Sequence, residues 1–333
     1  MTAPLDVPDP AHPSGPAGAD PAAPAPAAAR TRSLSRIAWG RLRRDKVAMA
    51  GGAVVVLVIA VAVFAPLIVR FVGTPPNQFN SDLIDPVLGT ANTPWGGISA
   101  EHPFGVEPVN GRDLFSRVVY GARISILIGF LATLVSVVIG TVMGIVAGYF
   151  GGWVDAVISR LMDIFLAFPL LLFAMALAGV IPDAAFGLQG NSLRVAILVF
   201  VIGFFNWPYI GRIIRGQTLG LREREFVEAA RSLGVSNAYI LFRELLPNLV
   251  APILVYSTLL IPVNILFEAA LSFLGVGINP PTAAWGQMLS SAVQFYSVAP
   301  NFMLAPGLAI FVTVLAFNLF GDGLRDAFDP RTH

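Results

Sequence analysis

The chain of 333 residues contains no cysteine, a single lysine and three histidines. Without cysteine there is no disulfide, no thiolate catalysis and no cysteine metal site. The lysine, Lys46, follows Asp45 and not the glycine that a phosphate-binding Gly-Lys-Ser/Thr loop requires, so the chain does not bind ATP through such a loop. His12, His102 and His333 are too scattered in sequence to indicate a metal site. We therefore expect no catalytic residue, no cofactor and no bound metal.

Charge is also scarce. Only 12% of the residues are charged, whereas 56% are hydrophobic, and the mean hydropathy is +0.74. A soluble domain of this length cannot hide so much apolar surface, so the composition predicts an integral membrane protein. A net charge of +1 argues against a nucleic-acid partner and makes membrane lipid the expected surrounding of the chain.

Six apolar segments predict an all-α polytopic membrane protein with six transmembrane helices. A bilayer core about 30 Å thick needs roughly 20 helical residues. The predicted spans are 47–69, 124–150, 163–181, 194–210, 249–274 and 302–320. In the second span Gly140, Gly144 and Gly148 recur every four residues, which predicts close internal packing of that face against another helix.

The organisation along the chain follows from these spans. Residues 1–35 are rich in Ala, Pro and Gly and predict a disordered cytoplasmic tail. Residues 36–70 hold the first transmembrane helix with its cytoplasmic lead-in, and 71–123 form an extracytoplasmic segment. Residues 124–328 form a core with the other five spans, including a polar cytoplasmic loop at 215–247. This orientation follows the excess of arginine before span one and between spans four and five, so both termini are expected in the cytoplasm.

The polar loop predicts two short helices joined by a rigid bend. Apolar residues of the first helix fall at i, i+3, i+4 and i+7: Phe226, Ala229, Ala230 and Leu233. Gly234 is suited to end this helix in a left-handed conformation, Ser236 to cap the next helix, and Pro247 to mark the turn into span five. Periodicity alone leaves two interpretations open, a docking surface and a surface hairpin whose charges keep it solvated.

The residue types of this loop and their spacing are more specific than its periodicity. Glu228-Ala229-Ala230, then Gly234, then Leu246-Pro247-Asn248 resembles the EAA loop of ATP-binding-cassette importer permeases. The stretches "HPFGVEPVNGRDLFSRVVYGARISILIGF" and "FEAALSFLGVGINPPTAAWGQML" resemble dipeptide, oligopeptide and nickel permeases, most closely the second permease subunit of the pair. The resemblance covers about residues 36–330. Between Gly105 and Gly111 this chain is one residue longer than the usual spacing, and Glu244 stands where many relatives have histidine.

The resemblance implies a type I ABC importer permease fold and one half of a translocation pathway for peptides or a similar small solute. The implied partners are a homologous permease subunit, two ATP-binding cassette ATPase subunits and an extracytoplasmic solute-binding protein at the bacterial plasma membrane. ATP hydrolysis then belongs to the partners, and nickel or another solute stays open as cargo. The implied ATPase-coupling residues are Glu228, Ala229, Ala230, Arg231, Gly234, Leu246 and Pro247.

Two polar residues lie inside the predicted fifth span. Glu268 and Asn264 are candidates for the pathway or its gate, and their alternative role is hydrogen bonding between helices. Arg160 and Asp163 are spaced to pair on one helix face near the cytoplasmic boundary, with a proton relay as the sharper alternative.

Residues 111–123 are interpreted as an interfacial helix, either a contact zone for the binding protein or a plain connector. Two rivals to the importer permease also stay open at this point, an ion-coupled secondary transporter and a membrane scaffold that transports nothing.

Overall fold

A computed structural model describes residues 34–178 and 184–328. Its helices are α1 (Leu34–Leu42), α2 (Lys46–Val63), α3 (Ala65–Val72), α4 (Pro94–Gly97), α5 (Leu114–Phe150), α6 (Gly152–Ala167), α7 (Leu170–Ala178), α8 (Gly190–Leu221), α9 (Glu225–Ser232), α10 (Asn237–Tyr239), α11 (Leu246–Phe273), α12 (Trp285–Ala292) and α13 (Pro300–Phe328). A hairpin of β1 (Ala184–Ala185) and β2 (Leu188–Gln189) precedes α8, and its strands are antiparallel with Ala185 opposite Leu188. The predicted tail lies almost wholly outside the described residues.

The all-α polytopic prediction is confirmed. Five helices in the described ranges are long and apolar enough to cross a membrane, and the pair α6 and α7 makes up to six. The predicted third span, 163–181, falls on this pair of helices. The two helices are bent by 75° at the break between them. The break precedes Pro169, where Phe168 is extended, because a residue before proline is disfavoured in the helical conformation. The predicted end of this span, residue 181, lies outside the described residues.

The glycine stripe of the second span packs internally, as predicted. It lies against α8: a Cβ atom at Gly140 would stand 2.6 Å from the Trp207 carbonyl oxygen, and one at Gly148 would stand 2.6 Å from the Thr218 Cβ. The two helices approach so closely that only glycine fits, since real Cβ atoms do not stand this near to a carbonyl oxygen. Ile128 of α5, Ile202 of α8 and Leu271 of α11 are fully buried in the core that these helices share.

The expected interfacial helix at 111–123 is wrong. These residues lead directly into α5, which starts at Leu114 and continues without a break to Phe150, about 55 Å for 37 residues. There is accordingly no boundary at 123. Leu114 and Arg117 are both fully buried, so the first turn of this helix does not lie on a surface.

Residues 73–113, called the cap, connect α3 to α5. They contain the 3₁₀ turn Ser81–Leu83, α4 and two antiparallel bridges, Ile84 with Ala91 and Val106 with Asp113. The cap ends where α5 begins, whereas the polar loop between α8 and α11 contacts the last turns of α5. Cap and polar loop are therefore at opposite ends of the bundle.

Candidate functional site

The first helix of the polar loop, α9, has two apolar faces, and the one it buries within the described residues is not the stripe noted in the sequence. Val227 is fully buried and Ala230 is 8% exposed. Phe226 is 37% exposed and Leu233 is 82% exposed, and Ala229 is also exposed, so of the four predicted stripe residues only Ala230 is buried. Both faces of this eight-residue helix repeat apolar residues at helical spacing, and the packing of neighbouring elements decides which one is covered. The outcome is an apolar strip that the described residues leave uncovered.

The buried face of α9 packs against the ends of three other elements. Val227 and Ala230 belong to a core cluster with Ile145 of α5, Ile240 and Leu249. The glycine-rich face of α5 meets α8 in the same region. The elbow, defined as residues 225–239, is thus seated on the ends of α5, α8 and α11.

The bend within the elbow follows the predicted chemistry. Gly234 has φ +72°, a left-handed conformation that side chains other than glycine seldom adopt. The N–H of Gly234 donates to the Arg231 carbonyl at 2.9 Å and that of Val235 to the Ala230 carbonyl at 3.2 Å, which is the Schellman pattern. The Ser236 hydroxyl then accepts from the Tyr239 N–H at 3.4 Å. These bonds fix the angle between α9 and α10.

Tyr149, at the end of α5, holds both arms of the bend. Its hydroxyl donates to Asn237 Oδ1 at 2.8 Å, and its ring lies under the Arg231 guanidinium, 4.9 Å from ring centroid to Cζ. Sequence reasoning missed this contact, because Tyr149 and Asn237 are 88 positions apart. An aromatic residue closing an apolar span was the only available signal. Arg231 therefore has a partner within the chain.

The predicted turn at Pro247 is wrong. A π-helical turn, Ile240–Leu245, joins α10 to α11, and Asn237–Phe273 forms one continuous helical rod. In the π turn the Leu246 N–H donates to the Leu241 carbonyl, and the Asn248 side chain donates to the Glu244 carbonyl at 2.7 Å. Pro247 is tolerated at the second position of α11 because the π turn precedes it. The elbow consequently has one bend, at Gly234, and its second arm is the beginning of span five.

The charges of α9 remain on its surface. Glu225, Glu228 and Arg231 are exposed, and Arg222, which precedes the helix, donates to the Gly148 carbonyl at 3.1 Å and to Glu223 at 2.8 Å. Of the predicted coupling residues, the structure thus brings Arg231, Ala230 and Gly234 into the joint itself. It leaves Glu228 and Ala229 facing outward.

Ion pairs beside the elbow tie α6 to α8. Asp155 accepts from Arg215 through both carboxylate oxygens, with 2.7 Å from Nη2 to Oδ2. The predicted pair of Arg160 with Asp163 is present at 4.0 Å, but Asp163 bonds more closely to Arg212. Because Asp163 and Arg212 are about half exposed, this arrangement resembles a surface ion pair and offers no relay across the membrane.

The two candidate pathway residues are both fully buried among helices of this chain. Asn264 donates to Thr133 Oγ1 at 2.9 Å, and its Oδ1 accepts from Asn206 Nδ2 at 2.7 Å, so it joins α5, α8 and α11. Glu268 Oε1 accepts from the Ser272 hydroxyl at 2.8 Å, and its Oε2 has no hydrogen-bond partner among the described residues. This geometry favours hydrogen bonding between helices over an open pathway for Asn264. The Ser272 bond of Glu268 lies within α11 and joins no second helix.

Comparison with known proteins shows which family the chain resembles. Residues 140–333 match the family described as "Binding-protein-dependent transport system inner membrane component", and residues 33–86 match the "N-terminal TM domain of oligopeptide transport permease C".

Two named relatives cover nearly the whole chain. The chain is 41% identical to the dipeptide transport system permease protein DppC of Alkalihalophilus pseudofirmus, across 89% of this chain and 90% of the relative. It is 43% identical to the glutathione transport system permease protein GsiD of Shigella flexneri serotype 5b, across 88% and 89%.

A solved structure shares the fold. A chain of the MetNI methionine ABC transporter, in an inward-facing conformation, aligns with a TM-score of 0.51 and 18% identity, over 64% of this chain and 97% of that chain.

Proposed function

Because the chain belongs to the family of binding-protein-dependent transport system inner membrane components, we propose that its elbow couples a peptide pathway to cytoplasmic ATPases. The chain itself is a permease subunit of an ABC importer, and its named relatives are transport permeases. Family membership does not favour the ion-coupled transporter or the scaffold. The proposal adds the cargo, the partners and the residues that transmit force.

One observation carries the coupling proposal: α9 has an apolar strip that no described part of the chain covers, on a helix whose position is fixed. Leu233 is 82% exposed and Phe226 37% exposed, while Phe242, one turn into the rod, is 67% exposed. A soluble partner with an apolar cleft would bury these side chains, and exposed apolar patches next to fixed elements commonly mark such contacts.

The mechanical part of the proposal rests on the joint. Schellman bonds at Gly234 fix the angle, and Tyr149 holds Arg231 and Asn237 together. The second arm continues as the rod Asn237–Phe273 through the core. A force applied to α9 is therefore transmitted to α5 and α11 without a flexible linker, as in hinge or shear transitions of packed helices.

The proposed partners are two ATP-binding cassette ATPases at the elbow, a second permease subunit and a solute-binding protein at the cap end. We also propose that both termini and the elbow face the cytoplasm. Arginines are concentrated in these segments, and the arginine-rich side of a membrane protein is usually the cytoplasmic one. The proposed cargo is a short peptide or a peptide-like solute, because the named relatives are dipeptide and glutathione permeases.

The test replaces Leu233 with Asp and Glu228 with Lys, each in the complete transport system. An unpaired charge within the contact should cost about 2 kcal/mol or more, which is roughly a thirtyfold loss of ATPase affinity. We expect ATPase co-purification and ATP-dependent uptake to fall together. The thermal midpoint of the permease should stay unchanged, because both side chains are exposed.

Leu88→Asp is the matched control, since Leu88 is an exposed leucine (71%) in the cap at the other end of the bundle. Normal co-purification and uptake for both elbow variants would remove the coupling assignment. Running the uptake assay with a labelled dipeptide, glutathione and nickel distinguishes the cargo, and we expect competition by unlabelled dipeptide.

A further inference from the structure

A groove of about 870 Å³ opens between α2 and α5 at the cap end of the bundle. Its apolar wall includes Ile59 and Val63 of α2 and Leu127 and Phe130 of α5. Its rim is polar and includes Asn77, Tyr120, Arg123 and Thr282. The groove is therefore amphipathic, with the polar groups concentrated toward its cap end.

The dimensions of the groove match one leaflet of a membrane. Tyr120 and Phe130 are ten residues apart on a continuous helix, which corresponds to about 15 Å along its axis. This is half of a hydrocarbon core about 30 Å thick. The groove thus follows the membrane normal from an interface toward the midplane.

Arg123 supplies a cation at the interface end. Its side chain is exposed and lies over the Tyr120 ring, 5.9 Å from the centroid, and it forms no ion pair with any described residue. Asn77 stands nearby with its side-chain oxygen already occupied by Arg117 at 3.2 Å, which leaves the amide nitrogen as a free donor. Both groups are suited to a phosphate oxygen.

We propose that this groove binds a phospholipid of the leaflet farther from the elbow, with its phosphate on Arg123 and an acyl chain along Leu127 and Phe130. A peptide does not suit the groove, because backbone amides in its apolar part would have no partners. A second apolar groove of about 560 Å³, between α2 and α13, has no charged side chain in its lining and offers nothing to a headgroup. The Arg123 cation distinguishes the proposed site from this second groove. The phospholipid proposal does not depend on the coupling proposal.

Native mass spectrometry of the complete transport complex with added phosphatidylglycerol tests the proposal. Arg123→Gln should retain at least roughly tenfold less phospholipid, the effect of one lost charge-assisted hydrogen bond. Arg70→Gln is the matched control, since Arg70 is an exposed arginine of α3 at the same end of the bundle, and it should leave retention unchanged. Leu127→Trp fills the groove while keeping the cation, and it should also lower retention.

The missing cysteines allow a second measurement. Leu127→Cys places one thiol in the groove, and a maleimide should label it in the assembled complex in detergent after the phospholipid has been removed, whereas added phosphatidylglycerol should slow the labelling. Equal phospholipid retention by wild type, Arg123→Gln and Leu127→Trp would overturn the proposal. A Leu127→Cys thiol that stays protected after the phospholipid has been removed would also overturn it, because a partner subunit would then cover the groove.

Discussion

The two ends of the bundle treat their charges in opposite ways. The cap and the start of α5 bury Glu107, Arg112, Asp113 and Arg117, whose exposed fractions are 2%, 7%, 0% and 0%. The elbow exposes its charged residues and buries only Val227 and Ala230. Buried charges need partners inside the chain, whereas exposed charges need none. The buried charges of the cap are thus paired within the described residues, whereas the charges of the elbow lie on the surface beside an apolar strip that the described residues leave uncovered.

The cap network is extensive. Glu107 pairs with Arg112, and Arg117 Nε lies 3.1 Å from Glu107 Oε1, at ion-pair distance without hydrogen-bond geometry. Arg117 also donates to the Pro281 carbonyl at 3.1 Å and to Gln287 at 3.3 Å. These bonds join the cap to the loop after α11. A rigid cap follows, held by contacts that are distant in sequence.

A second cluster closes the cap on α5. Asp113 caps the helix by accepting from the Ser116 N–H at 2.9 Å, and His102 Nδ1 lies 3.0 Å from Asp113 Oδ1. All three side chains are buried. The start of α5 is thereby fixed by residues that precede it.

The largest predicted effect is Glu107→Gln. The substitution keeps the shape but leaves the buried Arg112 and Arg117 facing each other without a counter-charge, which should cost about 3–5 kcal/mol of stability. The thermal midpoint of the purified permease in nanodiscs measures it. Glu101→Gln, at an exposed glutamate of the same cap, and Glu228→Gln in the elbow should each stay within about 0.5 kcal/mol. Similar losses in all three variants would mean that the two ends do not differ.

Gly144→Ala comes next, and it tests the contact that joins the two ends. The new Cβ would stand 2.7 Å from the Gly211 carbonyl oxygen and 2.9 Å from the Ile214 Cβ, so α5 and α8 must move apart. Overpacking of this kind costs about 1–3 kcal/mol. Gly220→Ala is the control in α8, because nothing lies within 4 Å of its added Cβ, and it should be neutral or stabilise the helix by up to about 1 kcal/mol. Equal stability of both variants would show that α5 and α8 are not in close contact.

Sequence alone predicted the helices of the fold well and the long-range contacts poorly. Hydropathy identified the spans, and the stripe from Gly140 to Gly148 identified the tight face of α5. The start of α5 was predicted ten residues late, because residues 111–123 were interpreted as a separate interfacial helix. The partners of Arg117, Glu107 and Gln287, come from other segments, and no local sequence pattern predicts these contacts.

In the elbow, too, local features could be predicted from the sequence and long-range contacts could not. Gly234 and Ser236 were predicted correctly, because helix caps depend on residues within one turn. The apolar stripe of α9 could be identified from the sequence, but not which face of the helix this chain buries, since Val227 and Phe226 are both apolar and the packing of α5 and α11 decides between them. The contacts of Tyr149 with Arg231 and Asn237 were missed because they, too, join residues that are distant in sequence.

The smallest predicted effects compare one left-handed residue at each end. The elbow has Gly234 at φ +72°, whereas the cap has Val109, a β-branched residue, at φ +69° in the turn that carries the additional residue. Gly234→Ala should therefore cost about 1 kcal/mol of stability through strain at a position with open space around it. Because the strain falls on the joint, ATP-dependent uptake should decrease more than that loss of stability explains.

Val109→Gly is the reciprocal change. It removes a strain of about 1–3 kcal/mol and adds a backbone entropy cost of about 0.5–1 kcal/mol, so stability should be unchanged or slightly higher, with normal uptake. The thermal midpoint and the uptake rate of the two variants measure the contrast. If Gly234→Ala left uptake intact while Val109→Gly impaired it, the part of the molecule whose angle matters for transport would be the cap and not the elbow.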